Sequence, residues 1–297
     1  MIDSSKRYPS KVLLFGEYSV VKQGSALAIP YPKMTVHFSQ SNSIDLNFKE
    51  PIEYWKENDI ALDFENLKQD IDNGWGIESS IPVGSGLGSS GAVVAAVYDT
   101  YGLKKDISIH ELKKTFAAME SFFHGKSSGF DPLISYLNKA IVIRNGEIMT
   151  KDSLCLVNNI YLWHSGISRN KGNLVPLFLE NLKLKEYSEL FTGQYCDLTE
   201  NLISEMWDEV PASNEELLHV SKLQLRLFTD MIPEEVLKPW KQGIESSKYA
   251  MKLCGAGGGG FFIIFELEKG SVMELFKNIY HLDSFKTRSG SINLPLG

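Results

Sequence analysis

Cysteine is scarce in this chain: Cys155, Cys196 and Cys254 are odd in number, widely spaced and without a CxxC pair. Neither a disulfide framework nor a cysteine zinc site is built that way. Six histidines occur, but no HExxH sets two of them on one helix face, which excludes that class of zinc enzyme. Positive charge is in deficit, with 30 Lys and Arg against 37 Asp and Glu, a net charge of -7 and an isoelectric point near 5.5. Such a balance argues against a general nucleic-acid surface and leaves room only for a local basic pocket. No apolar run is long enough to cross a bilayer, and Met1-Ile-Asp-Ser-Ser-Lys-Arg7 lacks the apolar stretch of a signal peptide. Internal repeats and low-complexity linkers are absent too. What remains is an ordinary globular composition, 43% hydrophobic and 23% charged over 297 residues. One large or two modest domains of a cytoplasmic enzyme are the expectation.

Against that background, Ile81-Pro-Val-Gly-Ser-Gly-Leu-Gly-Ser-Ser-Gly91 stands out. Glycine at 84, 86 and 88 lets the backbone approach a ligand closely. Ala92-Val-Val-Ala-Ala-Val-Tyr98 reads as a buried helix whose unpaired N–H groups and dipole face the loop. Together they make an anion site suited to phosphate, and Ser89 and Ser90 add hydroxyls for phosphate or a metal ion. No Gly-Lys-Ser/Thr closes the loop, so it is not a Walker A motif. Ser89 stands where the third glycine of a dinucleotide fingerprint belongs. A turn with a helix cap is the plain alternative.

Around this loop, 11–15 and 26–30 read as short strands, and Met34–Gln40 with Ser43–Phe48 as a strand pair. Asp59–Asp72 has helical spacing through Ile60, Phe64, Leu67 and Ile71. Ser108-Ile-His-Glu111 is a capping box for a helix reaching about Phe123, and Asn145-Gly146 marks a hairpin between 140–144 and 147–150. Past about residue 152 the pattern predicts a strand at 160–163, helices near 172–184, 197–209 and 214–231, and strands at 249–254 and 261–265. A final helix near 271–280 and a short terminal strand complete an α+β pattern of packed layers.

Glu120-Ser-Phe-Phe-His-Gly-Lys-Ser-Ser-Gly-Phe-Asp131 is the second constellation. Glu120 sits in the last turn of its helix, where a carboxylate costs about 0.3–1 kcal/mol unless a cation such as Mg²⁺ is near. A solvated surface glutamate is the alternative. Asp131-Pro132 also reads as an ordinary helix start, Asp at the N-cap and Pro at N1, from which a carboxylate can still reach substrate. Gly125-Lys-Ser-Ser-Gly129 matches the hydrolase G-x-S-x-G formally, but a helix precedes it where a nucleophile elbow needs a strand. Gly255-Ala-Gly-Gly-Gly-Gly260 is followed by a strand, against a dinucleotide site. Four consecutive glycines cost chain entropy on folding, which favours a hairpin tip that closes over a ligand.

Pro9-Ser-Lys-Val-Leu-Leu-Phe-Gly-Glu-Tyr18, the Gly84–Gly91 loop and Lys252-Leu-Cys-Gly-Ala-Gly-Gly-Gly-Gly260 stand in that order along the chain. They resemble the three motifs of the GHMP kinases, and within that superfamily most of all the mevalonate kinases. The spacing E-xxx-HG-xx-SG-x-D from Glu120 to Asp131 is similar as well, and the resemblance spans nearly the whole chain. It implies an α+β fold of two domains, 1–152 like domain 2 of ribosomal protein S5 and 153–297 ferredoxin-like, with ATP between them. The implied activity is ATP- and Mg²⁺-dependent phosphorylation of a small metabolite's hydroxyl, mevalonate first. Phosphomevalonate or another small molecule is the alternative, and a non-catalytic binding protein a distant one. On this resemblance the phosphates lie on Pro82, Gly84, Ser85, Gly86, Leu87, Gly88, Ser89 and Ser90, with Mg²⁺ on Ser90 and Glu120. Asp131 is the implied catalytic base with Lys11 beside it. Glu17 and Tyr18 hold the substrate, and Gly255, Ala256, Gly257 and Gly258 close over it and the triphosphate. A small-molecule substrate, no nucleic-acid or membrane partner, and a monomer or homodimer follow in the same way. Lys11 favours a kinase, since the decarboxylases that share this fold lack that lysine.

Some positions depart from the family pattern. Ser10 replaces a glycine, Gly91 an alanine and Pro132 an asparagine. Tyr18 stands where mevalonate kinases carry histidine and phosphomevalonate kinases often tyrosine. The segment His164–Lys171 is altered, and Arg169 or Lys171 offers a cation to an acidic substrate group.

Overall fold

The computed structural model describes residues 2–22, 24–40, 48–169, 174–283 and 285–286. A long hairpin organises the first half: β1 (Tyr8–Phe15) runs antiparallel to β2 (Ala26–Ser39), which continues unbroken through Pro30 and Pro32. The expected partner of 34–40 is different. Residues 43–47 lie outside the described residues, and Phe48 only precedes α1 (Lys49–Glu57), a helix the apolar spacing did not announce. Residues Val36–Ser39 pair instead with β3 (Gly76–Ser79), which follows α2 (Phe64–Asp72). That helix starts at Phe64 rather than Asp59 because the Asp63 carboxylate accepts from the Asn66 N–H (3.1 Å) and caps it there.

Three helices follow, α3 (Ser89–Tyr101), α4 (Ile109–His124) and α5 (Phe130–Leu137). Every residue of α3 from Gly91 to Tyr98 is buried, as an all-round apolar helix requires, and it packs on β1, β2, α4 and α5. Ser108 and Glu111 form the capping box of α4. Then β4 (Ala140–Arg144) and β5 (Glu147–Lys151) make the expected hairpin, with φ of 51° at Asn145 and 82° at Gly146. Two positive values are what a type I′ turn needs. The sheet order is β1-β2-β4-β5, with β3 also on β2.

Beyond it, β6 (Ser153–Leu154) and β7 (Ile160–His164) lead into α6 (Val175–Asn181), α7 (Lys185–Glu189), a π-helical stretch Leu190–Tyr195 and α8 (Cys196–Trp207). Next come α9 (Asn214–Leu227), α10 (Glu234–Ser246), β8 (Tyr249–Leu253), β9 (Phe261–Glu266), α11 (Ser271–Leu275), β10 (Ile279–His281) and β11 (Phe285–Lys286). The second sheet has the antiparallel order β10-β7-β9-β8, and β11 pairs with β6. Pro239 disguised α10 in the sequence, although Val236, Trp240 and Gly243 form its buried face. The helix expected over 271–280 stops at Leu275, and its second half is the edge strand β10. Likewise α9 yields to a 3-10 turn at Thr229–Met231. Phe15 stacks on Phe265 at 5.8 Å, joining the two sheets. Among the described residues no helix is long and apolar enough to cross a membrane.

Candidate active site

β1 has β2 on one side, and the glycine loop lies along the other: the Lys11 N–H bonds the Leu87 carbonyl at 2.9 Å. Gly84, Gly86 and Gly88 have φ of 70°, 84° and 73°, and Gly88 is the N-cap of α3. The first N–H groups of that helix have no partner within it and open beside the loop. Ser85 and Leu87 turn their side chains inward, so they offer the cradle backbone only. Pro82 is exposed at the loop's entry, its carbonyl accepting from the Ser85 N–H (3.2 Å). A Cβ on Gly88 would stand 3.0 Å from Lys11 Cγ and 3.1 Å from Asp131 Oδ2. Lysine and aspartate therefore both border the cradle.

Asp131 is not the N-cap of its helix. Gly129 caps α5 with φ of 72°, and Asp131 falls in the first turn. Its carboxylate meets Lys11 Nζ at 3.2 Å. Burial works against the Lys11 ammonium, but Asp131, with Cys254 assisting, outweighs it and the pKa rises above the ordinary lysine value. Helix α5 comes this close because residue 91 is glycine. A Cβ there would lie 2.8 Å from Asp131 Cβ, the Asp131 carbonyl carbon and the Pro132 nitrogen. Gly91→Ala is expected to cost about 1–3 kcal/mol, as overpacking does, and to lower turnover by moving Asp131. Urea melts and kcat check this; no change in either would mean that α5 yields freely.

Glu120 is not a solvated glutamate: it is 4% exposed. Ser90 Oγ donates to its Oε1 at 2.9 Å, and the Ser127 hydroxyl donates to Oε2. Burial first, then the charge of Asp131, lifts this carboxyl to about 7, against the pull of the two hydroxyls and Lys11. His124 Nε2 lies 2.9 Å from Ser90 Oγ. With the serine's one proton directed to Glu120, the ring is the donor. These residues fit Mg²⁺, because a carboxylate and a hydroxyl held 2.9 Å apart are hard oxygen donors. Among the described residues no cluster of three or more His, Cys, Asp or Glu forms a metal cage. Mg²⁺ does not need one when phosphate oxygens and waters complete its shell.

Glu17 and Tyr18 go elsewhere. The Glu17 side chain is wholly shut from solvent, paired with the equally buried Lys252 of β8 and bonded by Gln224 Nε2 (3.2 Å) and Tyr195 Oη (3.4 Å). Enclosed by protein donors, it has no exposed surface for the substrate contact expected of it. Tyr18, with φ of 63°, donates from its hydroxyl to the Ala256 carbonyl at 2.6 Å. Gly255 and Ala256 are half-buried and Gly257 to Gly260 buried. The Gly258 N–H bonds Met231 (2.7 Å), the Gly260 N–H bonds Ile167 (2.8 Å), and the Phe261 N–H bonds the Ser85 carbonyl (3.1 Å). The two glycine segments thus abut. A Cβ on Gly86 would be 3.3 Å from the Arg169 guanidinium, which adds a cation at the rim. Lys171 lies outside the described residues. Lys252, Ser127 and His124 lie in motifs read from the sequence but received no role there. A lysine inside the apolar run Tyr249–Leu253 was the available signal, since a buried charge demands a partner.

Known proteins resemble this chain in its N-terminal domain and in its fold. Residues 56–139, which contain the first glycine loop, Glu120 and Asp131, match the GHMP kinases N terminal domain. Mevalonate kinase of Pyrococcus abyssi is 27% identical over 298 residues, 85% of each chain. Among solved structures, Methanococcus jannaschii mevalonate kinase aligns with a TM-score of 0.64 at 18% identity, covering 97% of this chain and 98% of that one. Streptococcus pneumoniae phosphomevalonate kinase aligns at 0.58 and 18%, covering 94% and 98%. At such identities structural likeness speaks for the fold, which these two kinases share despite their different names. Motif order, matched domain and fold converge: residues 56–139 match the GHMP kinases N terminal domain, and most of the chain is similar to mevalonate kinases.

Proposed function

We propose that the protein is a mevalonate kinase, transferring the terminal phosphoryl group of ATP to the hydroxyl of mevalonate in the supply of isoprenoid precursors. The observation that carries this reading is the Lys11–Asp131 pair, 3.2 Å apart and bordering Gly88 at the head of α3. Asp131 takes the proton of the acceptor hydroxyl. Lys11 keeps that carboxylate ionised and balances the charge developing on the acceptor oxygen. The 82–90 loop and the head of α3 hold the phosphates, and Gly255–Gly258 covers them. Ser90 and Glu120 would hold Mg²⁺. When bound, the ion supplies neutralisation of charge on the phosphate oxygens. The rest of the protein's work is positioning. The nucleotide lies between two domains, 1–152 and 153–297, of a cytoplasmic enzyme, monomeric or homodimeric, with no nucleic-acid or membrane partner.

A coupled ADP-release assay over mevalonate, phosphomevalonate, homoserine and galactose tests this, with the highest kcat/KM expected for mevalonate. No ADP release with any acceptor, together with no heat of ATP binding, would falsify the kinase reading. Phosphomevalonate is the second reading, favoured by Tyr18 after Glu17 and by Arg169 beside Gly86. Preferential turnover of that acceptor selects it. Ser90→Ala is expected to raise the Mg²⁺ needed for half-maximal rate by about tenfold or more. An unaltered Mg²⁺ curve would transfer the ligand role to Ser89.

A further inference from the structure

Glu17 and Tyr18 are neighbours, and both side chains cross to one short segment of the other half of the chain. Glu17 pairs with Lys252, both side chains 0% exposed, and Tyr18 Oη reaches the Ala256 carbonyl at 2.6 Å. Lys252 also donates to the Leu253 carbonyl (2.6 Å) and lies over the Phe15 ring, 5.4 Å from its centroid. Gln224 completes the grip, donating to Glu17 Oε2 (3.2 Å) and accepting from the Leu253 N–H (2.8 Å). The segment so held is the end of β8 and the entry to the second glycine turn.

Tyr18 makes its contact from a left-handed backbone, φ 63°, which non-glycine residues keep only where the surroundings impose it. Its ring is wedged beside Phe178 and Phe228, with centroids 4.6 and 5.1 Å away. A tyrosine that only filled space would need neither the positive φ nor the carbonyl partner. Meanwhile the turn itself is glycine at 255 and 257–260, all with positive φ. Such a backbone has little stiffness of its own, so its position depends on what it is bonded to: Met231 and Ile167 hold its middle, and contacts at its two ends do the rest. The Phe261 N–H on the Ser85 carbonyl holds the far end.

We infer that Glu17 and Tyr18 form a two-point clasp that holds the entry of the 255–260 turn against the end of β1, acting as positioning residues rather than acceptor contacts. What the turn covers rests on the kinase reading; the clasp does not.

Tyr18→Phe tests it, because the ring and its packing stay while one hydroxyl is lost. Hydrogen exchange of the nucleotide-free protein is expected to quicken about fivefold at the amides of 254–260, the effect of losing one neutral hydrogen bond. The urea midpoint should fall only by the worth of that one bond. KM for ATP should rise while KM for the acceptor holds. Tyr249→Phe is the control: it deletes a hydroxyl bond of the same kind, to the Pro239 carbonyl at 2.7 Å, on the same strand. It should leave exchange at 254–260 unchanged. Unchanged exchange in Tyr18→Phe, with KM rising for the acceptor alone, makes Tyr18 an acceptor contact and overturns the clasp. Equal quickening by Tyr249→Phe overturns it as well. Quickened exchange in a protein that releases no ADP would leave the clasp standing and end the kinase reading.

Discussion

Asp131→Asn is expected to lower kcat by about 10²–10⁴-fold while ATP binds as in the wild type, the range found when a general base is removed. Asparagine has the same shape, so α5 keeps its seat against Gly91, and the amide keeps a polar oxygen toward Lys11. What it lacks is a basic oxygen to take the hydroxyl proton. The change also reaches Lys11. In the wild type its raised pKa contributes stability that is complete below the ordinary lysine value and lost only as pH climbs through the raised one. Without Asp131, burial and Arg169 both push the ammonium down. The variant therefore loses stability modestly at neutral pH, and the deficit shrinks as pH climbs through the lysine range. Single-turnover transfer and calorimetric ATP titration separate the steps. A kcat near wild type would reduce Asp131 to a counter-ion.

Lys252→Met is expected to cost about 3–5 kcal/mol, the penalty of breaking a buried ion pair from one side. Both partners are 0% exposed, so the stranded Glu17 carboxylate has no water to turn to. In the wild type burial lifts the Glu17 carboxyl above its ordinary value, with Lys252 and Gln224 pulling it back. Removing Lys252 leaves burial less opposed. The folded variant then holds a proton that the unfolded chain has already released, and its stability falls as pH rises through that lifted value. In urea melts the deficit relative to wild type should accordingly grow as pH rises above the ordinary carboxyl range. Glu17→Gln added to Lys252→Met removes the stranded charge and should restore most of the loss. A double variant no better than Lys252→Met would place the cost in packing over the Phe15 ring instead.

Much of the site was legible because its parts are locally encoded. Alternating glycines before an apolar helix make a cradle from backbone and helix geometry alone. The Ser108–Glu111 box and the Asn145-Gly146 turn likewise need only neighbouring residues. Glu120 was recognised by the dipole argument, yet its burial was not. That depends on Ser90 and Ser127 being folded onto it from α3 and from the loop after α4. Asp131 looked like a cap because Asp-Pro starts helices, whereas Gly129 took that role.

The linear order of residues by itself determined the three glycine-bearing motifs, the α+β character and the glycine cradle, and it supplied Lys11, Glu120 and Asp131. Tertiary structure alone decided that β3 and not 43–48 pairs with β2. It also decided that Gly91 lets Asp131 reach Lys11, and that Glu17 is spent on Lys252. These outcomes depend on contacts between segments remote in the chain. Caps, turns and periodicity act over a few residues, while the partner of a buried charge is chosen by how whole layers pack.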